Sequence, residues 1–87
     1  MLEEIRGRID QIDDELVRLF LERLSLAGEI AEIKRAGNLP ILSEAREREI
    51  IARVTEGQPD MAGHIGTLFA ALFEISRAHQ ASILGWE

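Results

Sequence analysis

At 87 residues, with 10 Lys and Arg against 16 Asp and Glu and no cysteine, the chain carries a net charge of −6 and has no disulfide to staple it. That balance excludes a nucleic-acid footprint, which needs a basic face, and leaves no His–Cys cluster for a metal. A chain so short buries only about 60–65% of its surface when it folds alone, so association is the ordinary remedy.

No apolar run approaches the ~20 residues of a membrane span. Glu3 and Glu4 spoil a signal-peptide start. The reading is a soluble cytoplasmic protein, with no membrane and no nucleic-acid partner, forming one domain over residues 1–87.

The first segment dominates. It lacks proline up to Ala36, and its apolar residues fall at Leu2, Ile5, Ile9, Ile12, Leu16, Leu19, Leu26, Ile30 and Ile33. Steps of three and four are the period of a helix with one buried stripe. A helix over 2–36 is predicted, roughly 50 Å long at ~1.5 Å per residue. A compact chain of this size has a diameter of gyration of only ~24–26 Å, so its own residues cannot cover that helix. The stripe therefore needs a second chain. One seam position, between Leu19 and Leu26, holds Arg23 instead of an apolar residue. Gly37 is the expected left-handed cap, and Pro40 keeps the following connector extended.

Ser43 is expected to cap a second helix over 44–56, with Glu47, Ile50, Ile51 and Val54 facing inward. Gly57-Gln58-Pro59 ends it. Asp60 is expected to cap a third helix over 61–84, whose stripe reads Ile65, Leu68, Phe69, Leu72, Phe73, Ile75 and Ile83. Where that stripe should continue stand Ser76, His79 and Gln80, with His79 expected to face outward. No segment alternates with period two. The fold class is all-α, with three helices per chain in the order long, short, long.

The polar intruders carry the functional question. Arg23 either fixes the register of a seam or serves a ligand. Lys34 lies 11 residues further on, about 20° from alignment and roughly 16 Å along the axis, so the two cations can bracket one small dianion. Arg6 is ~25 Å from Arg23 on the same helix. It reaches such a ligand only from an antiparallel partner, with the two helices crossing near Val17 to Phe20. Ser76 and Gln80, four apart, share a face of the third helix. Each is either tied across helices or waiting for a ligand. Arg46 and Glu47 open the second helix, as a surface ion pair or as part of the same site. The set offers no activated nucleophile, no paired carboxylates and no metal ligands. What remains is a mould for a polyanion, fit for binding or for a reaction needing only positioning and charge stabilisation, without a cofactor.

The series Arg6-x2-Ile9-x2-Ile12-Asp13, Leu16, Glu22-Arg23, Ala27, Ile30, Lys34, Pro40-Ile41, Arg46-Glu47-Arg48 and Ser76-x3-Gln80 resembles the all-helical chorismate mutases over nearly the whole chain. The resemblance implies an isomerase that converts chorismate to prephenate, an intramolecular Claisen rearrangement on the way to phenylalanine and tyrosine. It implies an intertwined antiparallel homodimer of six helices with two equivalent sites. It assigns Arg23 and the partner's Arg6 to the two substrate carboxylates, and Lys34 to a carboxylate and the ether oxygen. Gln80 donates to that same oxygen, so that Lys34, Gln80 and Arg23 form the catalytic group. Glu47 accepts from the ring hydroxyl, Ser76 helps bind a carboxylate, and Arg46 supports the carboxylate end. Ser43 stands where some members carry an aspartate, and it can offer a backbone contact as well as a cap. Gln80 is a neutral amide where some relatives have a glutamate, so no acid optimum is expected from it.

Two rival readings remain at this point. An isochorismate-pyruvate lyase shares the fold, and Arg46-Glu47 after the Pro40 connector weighs against it. A non-catalytic helical dimerisation module explains the stripe of the first helix but leaves Arg23, Ser76 and Gln80 without a purpose.

Overall fold

The long first helix sets the outline of the molecule. The computed structural model describes residues 1–86, and these form three helices, α1 (Leu2–Gly37), α2 (Glu44–Thr55) and α3 (Ala62–Leu84), with no strand among the described residues. The molecule measures 54 × 26 × 17 Å, and its long axis is the length of α1. Its radius of gyration is 15.9 Å, against about 12 Å for a compact chain of this size.

α3 is the element that joins the others, packing on both α1 and α2. It lies only along the C-terminal half of α1. From Met1 to Leu19 every residue of the chain is exposed, whereas Ala27 and Ala31 are buried and Phe20 and Leu24 half-buried. Small residues make this close packing possible. A Cβ built on Gly28 would stand 3.1 Å from Ile83 Cδ1. The apolar stripe of α1 is left open beyond α3, where Ile9, Ile12 and Leu16 are 50%, 59% and 55% exposed.

The helix ends show how local chemistry sets the boundaries. α1 runs one residue past the expected end, and Gly37 is helical. The left-handed residue is Asn38, with φ 53° and ψ 42°. Asparagine tolerates that conformation, and the amides of Asn38 and Leu39 donate to the carbonyls of Arg35 and Lys34. Ser43 caps α2 as expected, its hydroxyl accepting from the Arg46 amide at 3.3 Å. α2 stops at Thr55, one residue before the expected end, and Gly57 takes a positive φ of 74°. Asp60 is not the cap of α3. The Met61 amide donates to the Gln58 carbonyl, closing a turn that contains Asp60, and Met61 itself precedes the helix with no side-chain cap.

The buried line of α3 also differs from its apolar stripe. Leu68 and Ile75 are exposed, while Phe73, Ser76, Gln80 and Leu84 are buried. These four recur at helical spacing, so the polar pair lies within the inward face. His79 is half-buried beside Gly28 instead of facing solvent.

Candidate active site

A cleft of about 420 Å³ opens between the C-terminal half of α1, the connector, the start of α2 and the second half of α3. α1 contributes Arg23 and Lys34, eleven residues apart on one side of the helix. The cap that begins α2 places Ser43, Arg46 and Glu47 at the rim. α3 contributes Phe73, Ser76, Arg77 and Gln80. The structure thus brings together all the sequence-predicted site residues except Arg6. That arginine sits near the other end of α1, with its guanidinium 3.8 Å from Glu3 Oε1 and its side chain 65% exposed.

Each cation is held differently. Lys34 Nζ donates to the Ile41 carbonyl at 2.5 Å, which ties the end of α1 to the connector. An ammonium has three N–H bonds, so two remain for a ligand. The Arg23 guanidinium carbon lies 6.0 Å from the centroid of the Phe73 ring, a cation–π placement that uses none of its N–H groups. Arg46 Nη1 donates to Glu49 Oε1 at 2.5 Å, keeping that arginine on the outer rim. Arg77 donates to Glu47 across the gap between α3 and α2.

Gln80 and Ser76 supply the neutral groups. Gln80 Nε2 donates to Ser76 Oγ at 3.1 Å, and both residues are buried. Gln80 Oε1 is buried with no hydrogen-bond partner among the described residues. Orphaned polar atoms of this kind cost free energy unless a ligand or water meets them.

The cleft is strongly polarised. Among the described residues four cations and a single carboxylate line it, in a chain whose net charge is −6. That suits a small polyanion. Among the described residues there is no group of three or more His, Cys, Asp or Glu that could hold a metal. Ser43 serves chiefly as the α2 cap, since its hydroxyl accepts from a backbone amide. Arg77 also lines the cleft, and nothing in its local sequence marks it as a site residue. The available signal was its place one turn after Phe73, on the flank of the buried line, where an arginine looks like any solvated charge.

Residues 5–81 match the family model described as chorismate mutase type II. A chorismate mutase of Methanocaldococcus jannaschii is 37% identical over 86 aligned residues, covering 95% of this chain and 87% of that protein. A bifunctional chorismate mutase/prephenate dehydratase of Aquifex aeolicus is 44% identical over 64 residues, 74% of this chain but 18% of the relative. The T-protein of Haemophilus influenzae is 39% identical over 46 residues, 53% of this chain and 12% of the relative. The chain therefore spans a small part of two of these proteins and most of the third. No solved structure matches it significantly. The family match runs through every element that builds the cleft, from α1 to Gln80, and the chain belongs to the chorismate mutase type II family.

Proposed function

We propose that the chain catalyses the rearrangement of chorismate to prephenate as one mutase domain, in an antiparallel homodimer whose two sites each receive Arg6 from the other chain. The observation that carries the activity is the Gln80 amide, buried in a cation-lined cleft with one end on Ser76 and the other unpartnered. The Ser76 hydroxyl both donates and accepts. Turning the amide by half a rotation lets Ser76 donate to Oε1 and frees the NH2 group for a ligand's oxygen.

The chemistry asks for little else. The ether C–O bond breaks as a new C–C bond forms within the same molecule, and no atom or proton is gained or lost. No nucleophile, base or cofactor is required. The flexible side chain must be held over the ring, and negative charge grows on the ether oxygen as its bond stretches. Arg23 and the partner's Arg6 hold the two carboxylates and so fix the folded conformer. Ser76 and Arg46 support the carboxylates, and Glu47 accepts from the ring hydroxyl, with Ser43 beside it. Lys34 and Gln80 stabilise the growing charge. One such donor contributes about 2.7–4 kcal/mol. An acceleration of ~10⁶ needs about 8 kcal/mol, within reach of two donors plus positioning.

The dimer is supported by the exposed stripe of α1 and by the length of that helix beyond α3. With the helices crossing near residues 17–20, the partner's Arg6 falls opposite the stretch between Arg23 and Lys34. The test is the loss of chorismate absorbance with the purified chain, with product identification. Prephenate supports the proposal. Pyruvate released from isochorismate, without turnover of chorismate, would replace it with the lyase.

A further inference from the structure

We propose that Arg77 is a positioning residue that holds the Glu47 carboxylate ready for the substrate's ring hydroxyl. The assignment rests on the mutase reading above.

Among the described residues, Glu47 is the single carboxylate lining a cleft meant for a dianion. Left alone its carboxylate would turn freely about its side-chain bonds. Its neighbours on α2 do not restrain it. Arg46 is paired with Glu49, and Arg48 lies 3.9 Å from Glu44. Restraint comes from another helix, where Arg77 Nη1 donates to Glu47 Oε2.

This pair is unlike the other ion pairs among the described residues. Those join residues three or four apart on one helix, and their side chains are 50% or more exposed. Arg77 and Glu47 are 35% and 27% exposed and bridge α3 to α2. Exposed pairs contribute little because water screens them. A half-buried pair keeps its geometry better, since fewer waters compete for either group. With Oε2 occupied, Oε1 remains to accept from a hydroxyl.

The test is a double-variant cycle, read as kcat and KM on two substrates: chorismate, and a chorismate analogue lacking the ring hydroxyl. Arg77→Met should lower kcat/KM for chorismate about tenfold and leave the analogue within about twofold, because the lost contact is the one to the hydroxyl. Arg77→Lys should recover most of the loss. In the double variant with Glu47→Gln, kcat/KM should match Glu47→Gln alone. If Arg77→Met fails to fold, Arg77→Gln keeps the stem without the charge and is read the same way. Equal losses on both substrates, or losses that multiply in the double variant, would overturn the assignment and make Arg77 a direct carboxylate ligand or a helix clamp. A wild-type chain inert toward chorismate would remove the mutase reading itself, and the role of Arg77 with it.

Discussion

Gln80 Nε2 donates to Ser76 Oγ at 3.1 Å, while the other end of the same amide, Oε1, is buried without a partner. A neutral donor in this place needs no proton from solvent. Wild-type kcat/KM should therefore show no tenfold-per-unit fall between about pH 5 and 8 arising from this position. Gln80→Glu should behave differently. Burial beside the substrate's carboxylates raises the pKa of the new carboxyl, and only its protonated form donates. Its kcat/KM should be highest in acid and fall by about tenfold per pH unit above that pKa. A variant profile as level as the wild type would mean that Gln80 does not meet the reacting oxygen.

Arg23 stands where the seam of α1 should be apolar, over the ring of Phe73. Arg23→Leu should keep the helical circular dichroism signal and the association state, because an apolar residue often replaces a partly buried ion at no cost. Turnover should fall by roughly 10²-fold, the loss expected when a substrate is no longer held in its reactive conformer. A folded variant with near-normal activity would leave Arg23 as a register device only.

The exposed stripe of α1 makes a separate prediction. Leu16 is 55% exposed and lies near the expected crossing of two α1 helices. Leu16→Glu should shift sedimentation toward the monomer and abolish turnover together, since each site then lacks the partner's Arg6. A variant that stays dimeric and active would place the interface elsewhere.

Much of this was legible in the sequence, for identifiable reasons. The period of α1 and the Ser43 cap are local signals, and they predicted the elements to within a residue or two. Gly37 was misplaced because Asn38 also tolerates the left-handed conformation, and tertiary context chose between them. Leu68 and Ile75 were read as core because they are apolar at helical spacing. In α3 the inward line runs instead through Phe73, Ser76, Gln80 and Leu84, and no single-helix pattern says which face meets its neighbour. Arg23, Lys34, Ser76 and Gln80 were legible because a charge or amide inside an apolar stripe is anomalous. Arg77 was not, because its meaning comes from Glu47, thirty residues away on another helix.

The central claim is that a cation-lined cleft, completed by Arg6 of a second chain, rearranges chorismate. The most direct measurement mixes two inactive variants, Arg6→Ala and Arg23→Leu, by co-expression or joint refolding, and follows chorismate absorbance. In a mixed dimer one site carries both defects and the other carries neither. An equal mixture should therefore recover about a quarter of wild-type activity, since half the dimers are mixed and each has one intact site. No recovery, with mixed dimers present and the wild type active, would contradict the sharing of Arg6 between chains.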